Sequence, residues 1–348
     1  MIGIVGLLVL AGCSSHEPRY EDRVPPSPKP ASTRDLVDAA GRIAERYRRD
    51  AGRLPADALA PLTQASAIGF RVSGAPGLRM LTSHYADMLL ASQLERRGGS
   101  PFFGAASPNR ADAAITADSV DALVDAYVAT RDPRYRQAAI EGATALKQPS
   151  LGLTPARGGL MMRVSSRGTQ HLSVALTAQV ARVLDRVGDP FIGGPATDTR
   201  NQLLRAVARA QQGLGRWYAF VGSEVPMNME QWAMTLLSVA SVDGRSPVAG
   251  IAASGITALF DAGFTPTGEP DLGAVRDRDG YGSGLAISTF DAYADAPRYA
   301  LLVTQRALER RREDGTVMTV SRDDARVQGV YAVGFARRAL SSRREGAG

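Results

Sequence analysis

Two short stretches decide the fold: Arg131-Asp132-Pro133-Arg134-Tyr135 and Asp295-Ala296-Pro297-Arg298-Tyr299. In each, a proline sits between two runs whose apolar residues recur at helical spacing. Proline cannot continue a helix from within, yet it is well tolerated in the first turn of a new one, where its missing N–H costs nothing. Such a stretch therefore reads as a tight turn joining two helices. Gly74-Ala75-Pro76, Gly188-Asp189-Pro190 and Gly244-Arg245-Ser246-Pro247 read the same way. Pro76, Pro133, Pro190 and Pro247 are each 57 residues apart, and Pro297 follows after 50. A period of that size signals repeated helix pairs, each unable to bury its apolar face alone.

Outward from these turns, amphipathic helical patterning covers 77–97, 118–131, 134–147, 170–187, 197–212, 229–242, 248–262, 284–294, 298–311 and 325–342. Sustained period-two alternation is scarce, so the chain reads as all-α. Short turns on one side leave long connections on the other, at about 98–117, 148–169, 213–228, 263–283 and 313–324. Connections of this length in a compact domain are uncommon and usually functional or disordered. Two of them hold β-like pieces, Leu160-Met161-Met162-Arg163-Val164 and Thr316-Val317-Met318-Thr319-Val320. In a closed ring of hairpins all of these loops would rim one face.

Composition narrows the function classes. The chain has 348 residues, 44% hydrophobic and 22% charged, enough to bury a sizeable core and too apolar for a disordered chain. One cysteine and three histidines exclude a disulfide scaffold and a Cys/His zinc site, and nothing in the sequence calls for a metal or cofactor. The net charge is +6, but only Lys29 and Lys147 are lysines, and the arginines are interspersed with acids rather than gathered in a stripe. That pattern does not suit nucleic acid. Arginine does suit planar recognition of carboxylates, which keeps an acidic substrate in view.

At the amino terminus, the apolar run of residues 2–10 is too short to span a bilayer as a helix. It ends in Leu10-Ala11-Gly12-Cys13-Ser14-Ser15, which resembles a bacterial lipoprotein signal. The resemblance implies a signal peptide over 1–12 and lipidation of Cys13. It further implies a place in the cell envelope, at the periplasmic face of the outer membrane in a Gram-negative host. Met1-Ile2 lacks the basic start usual for such signals. Pro18, Pro25, Pro26, Pro28 and Pro30 then mark 13–32 as an extended, semi-rigid tether. A Ser32-Thr33 cap opens the folded domain, expected over 33–348.

Across residues 76–342, the hairpins of about 50–57 residues, the Gly-Asp-Pro-like turns and the stretch Gln170-His171-Leu172-Ser173-Val174-Ala175-Leu176 resemble the α/α toroid. That superfold includes polysaccharide lyases, glycoside hydrolases, sugar epimerases and terpenoid cyclases. The resemblance is architectural, and function by this route is analogy.

The repeat also selects candidate chemistry. Asp118, His171, Glu230 and Tyr281 lie 15, 19, 17 and 16 residues before Pro133, Pro190, Pro247 and Pro297, beside the long loops. Of these, His171, Glu230 and Tyr281, with Asp279, are the expected catalytic groups. His171 reads as the start of an amphipathic helix and follows Arg157, Arg163 and Arg167; as a base near arginines it would suit proton abstraction beside a uronate carboxylate. A capping histidine is the other reading. Trp217, Tyr218 and Trp232 are candidate sugar-stacking residues, or aromatics that fold a loop onto the ring. Asp277 and Asp279 lie just before the Gly-rich stretch Gly280-Tyr281-Gly282-Ser283-Gly284, and Asp277 is expected to touch substrate. Its acids and glycines partly resemble a calcium loop, but an intervening arginine and a missing ligand pattern count against one. A uronate lyase or epimerase, or a hydrolase using Glu230 with Asp277 or Asp279, is the expectation, with an acidic polysaccharide as substrate. The alternative is a non-catalytic scaffold or glycan-binding subunit of an envelope machine with protein partners.

Overall fold

The computed structural model describes residues 30–94, 103, 112–166, 169–189, 191–192, 198–213, 216–241, 249–271, 277, 280–293, 297–319 and 324–345. Six helices form an inner ring: α2 (Ala56–Ser73), α4 (Ala113–Thr130), α6 (Val174–Gly188), α8 (Met229–Ala240), α10 (Tyr281–Asp291) and α12 (Ala325–Glu345). Each packs on its two neighbours in the ring, and α12 packs on α2 to close the circle. The odd-numbered helices lie outside: α1 (Thr33–Tyr47), α3 (Pro76–Ala91), α5 (Pro133–Leu146), α7 (Asp198–Arg209), α9 (Ala249–Gly263) and α11 (Pro297–Glu309). Six hairpins closed in this way make an α/α toroid.

Burial explains which helix goes where. The outer α1 buries a single stripe, Leu36, Val37, Ala40, Ile43, Ala44 and Tyr47, and begins with a reciprocal cap between Ser32 and Asp35. The inner α10 is buried at every position from Tyr281 to Phe290. A helix covered on all sides must meet its neighbours through small residues. A Cβ on Gly282 would lie 2.5 Å from Met229 Cγ and 2.7 Å from the Glu230 nitrogen, and one on Gly334 would lie 2.8 Å from Ile287 Cβ.

The turns follow the sequence where they are described. Pro76, Pro133 and Pro297 each open an outer helix, while Pro190 and Pro247 lie outside the described residues. Gly74 ends α2 at φ 70°, and Arg131 ends α4 in the same left-handed region at φ 66°. Because the inner helices all run the same way, each long connection enters an inner helix at one common face.

Three expectations change. The helix α2 carries no amphipathic stripe, since Ala58, Leu59, Ala60, Pro61, Leu62 and Thr63 are buried in succession; with α1 it supplies a sixth hairpin, extending the toroid upstream of residue 76. His171 does not begin a helix. It lies on β3 (Thr169–Ser173), which pairs with β2 (Gly159–Ser166) and through it with β1 (Leu153–Ala156). Ser173 Oγ accepts from Leu176 N, so the helix starts only at Val174. The third change is a small second hairpin of β4 (Gln211–Gly213) and β5 (Arg216–Trp217) in the α7–α8 connection.

Cys13 and the tether up to residue 29 lie outside the described residues, and among those described no helix is long and apolar enough to cross a membrane. Gly282→Ala should lower stability by about 1–3 kcal/mol, read by chemical denaturation, because a methyl there must push α10 away from α8.

Candidate functional site

The first turns of four inner helices bring charge to the loop-bearing face. Asp57 is the second residue of α2, Glu230 the second of α8 and Arg326 the second of α12, while Tyr281 opens α10. Acidic groups in a first turn are stabilised by the exposed N–H groups and the helix dipole. Arg326 joins the set. Its Nη2 lies 2.7 Å from Glu230 Oε1, its Nε 3.8 Å from Asp57 Oδ2, and its guanidinium covers the Tyr281 ring at 3.8 Å. Tyr281 is 5% exposed, and burial lifts its hydroxyl well above the usual phenol range, with Asp118 and Glu230 adding to the shift.

Asp118 sits five residues into α4, so at 1.5 Å per residue it lies roughly 7 Å below the mouth. It is deep within the ring yet keeps a solvent-facing portion. Gln179 Nε2 on α6 donates to its Oδ1 at 2.6 Å. Burial pushes this carboxyl up to about 7; Arg182 and Arg326 pull it down, and Asp121 and Glu230 raise it further. An acid that keeps its proton near neutrality beside a salt-bridged carboxylate is a pair with two different capacities, one to donate and one to accept.

Below Asp118 the ring axis is polar. Asp121 and Asp125 on α4 are 1% and 2% exposed. Arg182 Nη2 reaches Asp121 at 2.8 Å, Arg186 pairs with both aspartates, reaching Asp125 at 2.7 Å, and Gln64 donates to Asp121 at 2.8 Å. Burial opposes the Asp121 charge, but Arg182, Arg186 and Arg337 outweigh it and hold the carboxyl well below the usual range. A cavity of about 30 Å³ lies among Gln64, Asp118, Arg182, Tyr281, Ser288 and Arg337.

The other expected site residues fall elsewhere. The half-buried His171 pairs with Val164 across the sheet, and its ring stacks on Phe220 at 4.7 Å. Arg157 is exposed at the β1–β2 turn, and Arg163 lines a separate cleft of about 390 Å³ with Asp112, Ser150, Ser165 and Gln170. Trp217 is 4% exposed and donates from Nε1 to Val207 O at 3.0 Å, so it pins its loop to α7 rather than offering a face to a sugar. Trp232 is buried within α8, and Tyr218 is half-buried beside Pro226. Asp277 is buried and caps α10, accepting from Gly282 N at 3.0 Å and from Ser283 N at 2.8 Å as well as from the Ser283 hydroxyl. Both its oxygens are thereby engaged. Asp279 and Arg167 lie outside the described residues. No group of three or more His, Cys, Asp or Glu that could hold a metal occurs among the described residues.

Of the four residues counted from the prolines, the structure joins Asp118, Glu230 and Tyr281 in one electrostatic cluster. It adds Arg326, Asp57 and Gln179, which sequence reasoning missed. The available signal was Asp118, Asp121 and Asp125 on one face of an otherwise apolar helix, matched by Arg182 and Arg186 one turn apart.

Comparison with solved structures identifies the architecture. A family 76 glycoside hydrolase (mannosidase) from Bacteroides thetaiotaomicron VPI-5482 superposes with TM-score 0.65 at 11% identity, covering 89% of this chain and 99% of that one. An unsaturated glucuronyl hydrolase specific for heparin gives 0.62 at 10% identity over 90% and 99%. A type II terpene cyclase from Scytonema gives 0.60 at 12% identity over 89% and 100%. The chain thus shares the α/α toroid with enzymes of quite different chemistry. No protein-family model matches it, and no curated protein matches it in sequence.

The raised carboxyl has a measurable cost. Asp118 binds its proton more tightly folded than unfolded, so stability falls as pH rises from about 4, the unfolded value, to about 7, and no further above that. Asp118→Asn should remove this slope, gaining on the order of 4 kcal/mol over the parent at pH 8 and nothing at pH 4, by urea denaturation at each pH.

Proposed function

We propose that this protein is a glycoside hydrolase acting on a polysaccharide or its oligosaccharides, with Asp118 as proton donor and Glu230 as the carboxylate that activates water. One observation carries the reading. A deep carboxyl held protonated up to about 7 shares an electrostatic cluster with a carboxylate salt-bridged at 2.7 Å. Glycoside hydrolysis uses two carboxyl groups in unlike protonation states.

In this reaction the Asp118 O–H gives its proton to the glycosidic oxygen as the bond to the anomeric carbon breaks. Water forms the new bond to that carbon, and its proton passes to Glu230. Arg326 pairs with Glu230 and Gln179 donates to the Asp118 oxygen, so both groups are held in place beforehand. The 30 Å³ cavity is too small for a sugar ring, so the substrate rests above it, at the loop-bearing face. The fold relatives support a carbohydrate substrate: one is a mannosidase and another a hydrolase of unsaturated glucuronyl units. A uronate lyase or epimerase route through His171 has less support, since His171 stacks on Phe220 and neither it nor Arg157 nor Arg163 lines the central cavity.

A second reading is a glycan-binding subunit without catalysis. It is favoured by the tight centre of the ring and by the polar cleft of about 390 Å³ around Arg163. We also propose that lipidated Cys13 holds the protein in the cell envelope, through the resemblance of its flanking sequence to a lipoprotein signal.

Reducing-end release from α-mannans and from saturated and unsaturated uronate oligosaccharides tests the enzyme. Activity should decline as pH rises through about 7, as Asp118 loses its proton. Asp118→Asn and Glu230→Gln should each lower kcat by roughly 10²–10⁴-fold with KM little changed. Binding without release of ends from any substrate would leave the subunit reading in its place.

Membrane attachment is tested separately. Cys13→Ser should move the protein from the membrane to the soluble fraction, and retention of the variant in the membrane would remove the anchor.

A further inference from the structure

The cavity beneath Asp118 has donors that nothing in the fold uses. Arg182 is 3% exposed and Ser288 is 2% exposed, and both line the cavity. Neither the Arg182 Nε–H nor the Ser288 hydroxyl has a hydrogen-bond partner among the described residues. Buried donors are ordinarily satisfied, and two orphans lining one small cavity point to a resident acceptor.

The local charge says what kind of acceptor. Arg71, Arg182, Arg186 and Arg337 all converge on Asp121 and Asp125, so four cations share two anions. Arg71 and Arg186 relieve part of their charge in solvent, with side chains 31% and 24% exposed. That leaves Arg182, with its side chain 4% exposed, leaning on Asp121, while Arg337, 19% exposed, reaches the same carboxylate only at 4.0 Å. Burial, followed by repulsion from Arg182, weakens the hold of Arg337 on its proton. Of the remaining lining, Met234, Leu237 and Leu285 carry no charge, and Asp118 offsets the arginines only above about pH 7, where it loses its proton.

Volume sets the size of the ligand. About 30 Å³ admits one water-sized particle and excludes a carboxylate, a phosphate or a sugar. A water would accept from both donors but leave the excess positive charge standing. We propose that the cavity binds a single monoatomic anion, a halide, held by the Arg182 Nε–H and the Ser288 hydroxyl with Arg337 as counter-charge. The site is independent of whether the protein cleaves glycans.

The test compares thermal unfolding in sodium chloride and in sodium gluconate at equal ionic strength. It is run at pH 6, where Asp118 is protonated and does not compete. Gluconate is too large for the cavity, so a midpoint about 2 °C or more higher in 100 mM chloride is expected. Ser288→Val fills the cavity and removes a donor, and it should abolish the difference between the salts. Crystals grown in bromide should show an anomalous peak in the cavity, a readout that needs no variant. Equal midpoints for the parent protein, a difference that persists in Ser288→Val, or cavity density without anomalous signal would each overturn the proposal.

Discussion

A ring of helices is stable only if its last member meets its first. Here that meeting is α12 against α2, where a Cβ on Gly329 would lie 2.9 Å from Pro61 Cγ. Opening the seam would expose the almost wholly apolar sides of both helices to water. The same seam is tied at its far end by Arg343, which donates to Val72 O near the end of α2. Because the helix that closes the ring also carries Arg326 and Arg337, closure and the assembly of the charged cluster are one event.

The polar axis is the second constraint. Asp121 and Asp125 are 1% and 2% exposed, buried among the inner helices. Removing one partner from such a set leaves an uncompensated charge, which costs far more than the intact pair contributes. The pairs cross from α4 to α6 and from α2 and α12 to α4. They therefore fix the rotation of α2, α4, α6 and α12 about their own axes. Asp118, one turn nearer the mouth on α4, inherits that rotation, and Gln179 on α6 secures it.

The hairpin architecture was legible because proline and the glycine or Asp-Pro turns mark helix junctions whatever surrounds them, as Pro76, Pro133 and Pro297 show. The helix α2 escaped because periodicity reports one-sided burial, and α2 is buried on nearly all sides. His171 was misplaced for a related reason: Thr169–Ser173 continues the apolar rhythm of α6, and only the pairing of Val164 with His171 reveals a strand. In the site, counting back from the prolines picked out Asp118, Glu230 and Tyr281, which share one electrostatic cluster near the loop-bearing face. Arg326 and Gln179 were hidden because their partners lie 96 and 61 residues away, beyond any local pattern. The tryptophans misled in the opposite way, since a large aromatic near a loop serves equally to anchor it, as Trp217 does.

The common direction of the six inner helices has an electrostatic result. Their amide ends gather at one opening and their carbonyl ends at the other, so the ring is polarised along its axis, with the outer helices running the opposite way and containing the field. Asp57 and Glu230 stand at the positive pole, while Arg71, Arg338 and Arg343 cluster toward the negative one. A negatively charged molecule approaching this protein would thus meet unlike surfaces at its two ends, whatever the side chains between them contribute.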